Sequence, residues 1–76
     1  MINVTVKLFA QYRENRFKVE QRVYKKGIHA SEIIEELGVA KALPIGVLMV
    51  NSRHESESYI LQEGDIIALF PKVGGG

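Results

Sequence analysis

The sequence predicts an α+β fold, a mixed sheet of four or five strands with one main helix packed on one face. Three observations carry that prediction. Apolar residues alternate from Ile2 to Leu8, they recur at helical spacing from Ala30 to Leu37, and an uninterrupted apolar run from Ile66 to Phe70 stands near the end of the chain. With 76 residues there is room for one core, so residues 1–76 are expected to form a single domain whose last residues, 74–76, are a flexible glycine tail. A composition of 46% hydrophobic and 25% charged residues is that of a globular chain rather than a disordered one. The absence of cysteine excludes disulfides, thiolate metal sites and a cysteine nucleophile.

The elements follow in order. Ile2, Val4, Val6 and Leu8 share one parity and Asn3, Thr5 and Lys7 the other, as in a half-buried strand. Phe9 has the parity of the solvent-facing residues, so a large aromatic is expected on the outer face. Phe17 to Val23 alternates again and reads as the hairpin partner, with Phe17, Val19 and Val23 turned to the core and Lys18, Glu20 and Arg22 to solvent. Ala10 to Arg16, between them, is polar and lacks Gly and Pro, which argues against a tight two-residue turn. Ala30, Ile33, Ile34 and Leu37 form the stripe of an amphipathic helix that Gly38 stops and His29 caps only weakly. After a 3-10 or loop segment to Pro44, Val47 to Val50 reads as a strand covered on both faces. Polar Asn51 to Ser58 leads to a short strand at Tyr59-Ile60-Leu61, a turn at Glu63-Gly64-Asp65, and a last strand, Ile66 to Phe70, whose pairing Pro71 ends. This order is that of the β-grasp, or ubiquitin-like, arrangement.

Three of the seven glycines are the last three residues. A terminal glycine run adds nothing to a core and loses the most conformational entropy on ordering. Without Cβ atoms it can enter a channel no wider than a backbone, and the five residues beyond Pro71 can span about 17 Å. The tail is thus expected to be a reagent and the folded domain its handle. A carboxylate is a poor electrophile, so its use requires activation, as an acyl-adenylate made from ATP by a partner. The plain alternative is a frayed terminus or an added segment.

Three segments carry a resemblance. They are Val6-Lys7-Leu8-Phe9-Ala10-Gln11-Tyr12-Arg13-Glu14, which looks like an "LFAxxRE" motif; Val50-Asn51; and Leu61 through Gly76, which looks like "L-x-(D/E)-G-D-x-(V/I)-A-x-F-P-P-V-x-G-G". In order and at these spacings they resemble the prokaryotic ubiquitin-like sulfur carriers of the MoaD and ThiS type, closest to the small subunit of molybdopterin synthase. Lys72 stands where that pattern has its second proline, His54 where the family has an apolar residue, and the triple glycine is as much like ThiS endings.

The resemblance implies that Gly76 is adenylated and converted to a thiocarboxylate that donates sulfur, with molybdopterin synthesis as the pathway. Gly74 and Gly75 would thread the activating site. It also implies a partner-binding face of Phe9, Arg13, His54, Phe70, Pro71 and Val73. The partners implied are an adenylating enzyme of the MoaB, MoeB or ThiF type and either a MoaE-like large subunit or a thiazole synthase. The chain itself would be a co-substrate rather than an enzyme, with no bound cofactor or metal, ATP being used by the activating partner.

The same residues admit other readings. Thiazole synthesis or another sulfur-transfer route would use the same tail, and conjugation to lysines, as in ubiquitin-like tagging, differs only in the acceptor. Residues 1–28 carry seven Lys/Arg against Glu14 and Glu20, whereas the remainder totals −4. Nucleic-acid binding needs such charge on one surface with stacking aromatics, so a solvated hairpin face is expected instead. His29 and His54 are not at metal-ligand spacing, and Ser31, Ser52, Ser56 and Ser58 have no readable catalytic base. No apolar run reaches the length of a membrane span and no signal-peptide pattern opens the chain, so a cytoplasmic protein without membrane contact is expected.

Overall fold

The computed structural model describes residues 1–73. Five strands form one mixed sheet: β1 (Ile2–Leu8), β2 (Val19–Tyr24), β3 (Ile45–Val50), β4 (Arg53–His54) and β5 (Ile66–Pro71). Their order is β2-β1-β5-β3-β4, with β1 and β5 parallel at the centre and the other pairs antiparallel. A 3-10 turn (Ala10–Arg13) follows β1, helix α1 (Ala30–Leu37) crosses one face, and a short helix α2 (Val39–Ala42) leads into β3.

The core lies between α1 and the inner sheet face. Val4, Val6 and Leu8 of β1 meet Ile67 and Leu69 of β5, and Ala30, Ile33 and Ile34 close the layer from α1; all are buried. At roughly 1.5–3 kcal/mol for each large aliphatic side chain removed from water, this layer is the main source of stability. Tyr12 also belongs to it, with its hydroxyl donating to the Leu43 carbonyl at 2.6 Å. The polar stretch around Tyr12 hid that role, because a single aromatic in a 3-10 turn has no periodicity to reveal it.

The helix ends are closed from outside the helix. The Ala30 and Ser31 N–H groups donate to the carbonyls of Tyr59 and Glu57, each at 2.8 Å, and the Glu32 carboxylate accepts the His29 N–H at 3.0 Å. These bonds satisfy donors that a helix start leaves unpaired, so the weak side chain at position 29 is compensated by the loop and by Glu32. That same bond to the His29 backbone holds the Glu32 carboxyl below its ordinary range. At the other end Gly38 takes φ = 70°, and its N–H bonds to the Ile34 carbonyl at 3.1 Å.

Several expectations are corrected. Most consequential is β2, whose faces are reversed: Val19 and Val23 are more than half exposed and Tyr24 is buried. The register pairs Ile2 with Tyr24, Val4 with Arg22 and Val6 with Glu20, which places the even residues of both strands on the helix side. Being an edge strand, β2 buries little there. Arg22 bridges Glu20 at 2.7 Å and Glu36 of α1 at 3.0 Å, with its guanidinium 5.3 Å from the Phe17 ring centroid. Charge therefore sits on the inner face, where alternation alone assigns it to solvent.

The short fourth strand is Arg53–His54 rather than Tyr59–Leu61, which makes only an isolated bridge through Ile60 to His29. Asn51 and Ser52, at φ of 52° and 67°, form the two-residue turn that a tight hairpin requires. Strand β3 is covered on one face only, since Leu48 and Val50 are buried while Val47 and Met49 are half-buried on the other. Pairing does not stop at Pro71, because the Lys72 N–H donates to the Pro44 carbonyl at 2.8 Å. Segment 39–42 is α-helical.

Two outcomes are expected from this packing. Val23→Thr should change stability by no more than about 0.5 kcal/mol in urea titrations, whereas Ile33→Ala should cost about 2–5 kcal/mol; a large loss from the first would restore the opposite β2 orientation. Burial and the bond to Glu36, 2.8 Å, raise the Tyr24 hydroxyl from about 10 to about 12. Between those values the folded protein keeps a proton that the unfolded chain has released, so stability falls as pH rises through this window. In Tyr24→Phe the decline of the urea midpoint above pH ~10 should be shallower than in the parent protein.

Candidate functional site

The outer sheet face, opposite α1, collects the sequence-predicted residues. Val6 and Leu8 point inward, so Lys7 and Phe9 point outward; Ile67 and Leu69 point inward, so Ala68 and Phe70 point outward. Parallel pairing of Lys7 with Ala68 and Leu8 with Leu69 then brings the next residues, Phe9 and Phe70, side by side. Their rings stack with centroids 4.1 Å apart and planes 11° from parallel. The Arg13 guanidinium lies 5.1 Å from the Phe9 centroid and is held by its Nε–H, which donates to the Leu8 carbonyl at 2.7 Å. Arg13, Phe9 and Phe70 are thus three layers of one stack, each partly open to solvent. Such a surface joins a flat apolar contact to a fixed positive charge, a combination frequent at protein interfaces.

Next to the stack lies a shallow depression of about 220 Å³ bounded by Lys7, Met49, Ile66 and Ala68. The row Lys7, Ala68, Met49 and His54 runs across four strands in register, so exposed His54 continues the same face at its β4 edge. Pro71 departs from the expected set. It has the parity of Ile67 and Leu69 and is buried, so its ring faces the core side of β5 rather than the aromatic stack. Val73 is exposed. Gly74, Gly75 and Gly76 lie outside the described residues.

The segments that carry the sequence resemblance also build the support for this face. Asn51 Nδ2–H donates to the Asp65 carboxylate at 2.8 Å and its Oδ1 accepts the Ile66 N–H at 3.0 Å. Buried Asp65 also accepts the Tyr59 hydroxyl at 2.9 Å and the Gln62 N–H at 2.8 Å. The bond to Asp65 pushes the Tyr59 hydroxyl above its ordinary value, since the carboxylate opposes a second negative charge. From the same turn, the Gly64 N–H reaches the Asn3 carbonyl at 2.8 Å, and the Thr5 N–H bonds to the Asp65 carbonyl at 2.9 Å. This network starts β5 in register with β1 and so delivers Phe70 to Phe9.

Close backbone contact governs the exit of β5. A Cβ at Gly46 would stand 2.7 Å from the Lys72 Cα and 2.8 Å from the Pro71 carbonyl oxygen, so only glycine fits where β3 shifts register. Lys72 follows directly on Phe70-Pro71, and the aromatic stack therefore sits beside the point where the chain leaves the sheet. Among the described residues no three His, Asp or Glu side chains gather as a metal cluster, and no helix is long and apolar enough to cross a membrane.

The stack has a measurable signature. A double-mutant cycle of Phe9→Ala and Phe70→Ala in urea unfolding should return a coupling of about 0.5–1.5 kcal/mol, and additive effects would mean that the rings contribute independently.

Comparison with known proteins places this geometry. The ThiS family matches residues 6–76. No curated protein matches in sequence. Among solved structures, the putative molybdopterin converting factor subunit 1 of Pyrococcus furiosus is similar with a TM-score of 0.75 and 25% identity, over 96% of this chain and 100% of that one. The small archaeal modifier protein 1 of H. volcanii superposes with a TM-score of 0.76 at 20% identity, over 96% and 100%. A chain of the protein-protein complex of subunits 1 and 2 of the molybdopterin-converting factor from Helicobacter pylori 26695 gives 0.66 at 23% identity, over 99% of this chain and 100% of that one. A ubiquitin-like sheet with one main helix, and a family match that runs from the first strand through the terminal glycines, make this chain a member of the ThiS family.

Proposed function

We propose that this chain is a sulfur carrier that acts through its Gly76 carboxylate, with molybdopterin synthesis as the pathway served. One observation carries the reading: Arg13 and Phe9 stack on Phe70, a residue of the strand whose sequence runs on through Lys72 and Val73 to the glycines. A partner that docks on the stack receives the tail in a set direction. The activating partner supplies ATP. A Gly76 carboxylate oxygen attacks the α-phosphorus and pyrophosphate leaves, giving an acyl-adenylate; hydrosulfide from the sulfur donor then attacks the carbonyl carbon, AMP leaves and the S–H proton is lost, giving a thiocarboxylate.

Within this proposal the chain is a co-substrate and not a catalyst. Gly74 and Gly75 pass through a channel of backbone width, and Phe9, Arg13, His54, Phe70 and Val73 meet the partners. Those partners are an adenylating enzyme and a large synthase subunit, the second supported by the paired subunits of the H. pylori factor. The need for ATP makes the cytoplasm the proposed compartment.

The test is intact mass spectrometry after incubation with the host's activating enzyme, ATP and a sulfur donor. Exchange of one oxygen for sulfur, located at Gly76 by fragmentation, is the expected result. Covalent adducts joining Gly76 to lysines without that exchange would move the chain to the modifier class. Gly75→Ala should lower product formation by roughly 100-fold while leaving the circular dichroism spectrum unchanged, because a misplaced carboxylate loses its alignment with the α-phosphorus that it attacks. Unimpaired activation of that variant would contradict threading.

A further inference from the structure

The sheet has one short edge and one long edge. Strand β4 closes one side with two residues, whereas β2 presents six on the other and has no partner strand beyond it among the described residues. The Leu8 N–H donates to the Lys18 carbonyl at 2.9 Å, which fixes the parity of this edge. Antiparallel pairing turns both backbone groups of alternate residues to the same side, so Glu20, Arg22 and Tyr24 address β1. Val19, Gln21 and Val23 direct their N–H and C=O groups outward.

Read about Gln21, the edge is symmetric: Val19-Glu20-Gln21-Arg22-Val23. We propose that β2 is a self-association edge at which a second copy of this chain adds antiparallel through its own β2, with Gln21 on the two-fold axis. In that register Gln21 faces Gln21 of the second copy, and Val19 faces Val23. These are the residues with outward backbone groups, so each such pair exchanges two N–H···O bonds. Val19 and Val23, 58% and 57% exposed, cover one another on the outer face. On the helix face Glu20 stands opposite Arg22 of the second copy at the closer spacing of a non-hydrogen-bonded pair, where opposite charges attract.

Charges on an edge strand usually guard against such pairing. Here they lack the features of a guard. The β1–β2 register runs unbroken from Ile2/Tyr24 to Lys7/Val19, no proline or bulge interrupts β2, and the two charges have opposite sign at positions that interchange on self-pairing. A guard repels its own copy, whereas Glu20 and Arg22 complement theirs. A strand-edge contact buries less than the roughly 1,200 Å² of a standard stable interface, the size class of weak and transient encounters. The edge is separated from β5 by β1, and the inference does not rest on the sulfur-carrier reading.

Sedimentation equilibrium over a wide concentration range, with amide exchange followed by NMR, tests the proposal. The expected result is a monomer–dimer equilibrium in which the Val19, Gln21 and Val23 amides gain protection as concentration rises. Gln21→Pro, which removes an outward N–H and none that serves β1, should weaken association by about tenfold or more. Should that variant misfold, a charge exchange gives an independent reading. Glu20→Arg alone and Arg22→Glu alone should each abolish self-association, and an equimolar mixture of the two should form a heterodimer, because Arg then faces Glu at both positions. A monomer at every concentration, or a dimer indifferent to these changes, would overturn the proposal.

Discussion

The parallel pairing of β1 with β5 is the constraint on which the rest depends. The two strands lie far apart in sequence, so their contact closes most of the chain into one loop, and its entropic cost must be offset by what the pair buries. Val4, Val6, Leu8, Ile67 and Leu69 meet that cost on the inner face, under α1. Every other element is placed relative to this pair: β2 and β3 add to its two sides, α1 covers it, and Tyr12 plugs its end. The outer face is a by-product of the same register. Once Leu8 pairs with Leu69, the next residues, both phenylalanines, have to meet.

This division explains why the family resemblance is carried by segments of unlike chemistry. Leu61 to Asp65 and Asn51 hold the start of β5 through buried carboxylate and amide bonds, while Phe9, Arg13 and Phe70 make the exposed stack. Buried polar groups of this kind are costly when unsatisfied, and among the described residues every buried side-chain nitrogen and oxygen has a partner. The Asp65 cluster is therefore a device for register, and the aromatic face is what the register makes available.

Much of this was legible in the sequence, and the failures share a cause. Strand β1 and helix α1 are half-buried elements with a full apolar stripe, so their periodicity states their orientation. Phe9 was placed on the outer face by parity alone. The β2 orientation was misread because an edge strand offers its inner face partial cover, and an arginine that reaches two carboxylates can occupy it as well as a valine. Strand β4 has only two residues and no pattern to read. The resemblance implies Pro71 on the same face as Phe70, but neighbouring residues on a strand face opposite ways. The residues that escaped sequence reading are those whose position is set by partners outside their own run of alternating residues.

Gly46 shows how far such dependence extends. It belongs to β3 and lies far in sequence from the glycine tail, yet its missing side chain is the space that the Lys72 backbone occupies. Any larger residue there would push the end of β5 away from the start of β3 and strain the bond from Lys72 to Pro44, the last backbone bond before Val73 among the described residues. The chain would then leave the sheet before Lys72, with the residues that follow untouched. Position 46 in effect sets where the chain leaves the sheet, and a substitution there would act on residues more than twenty positions away.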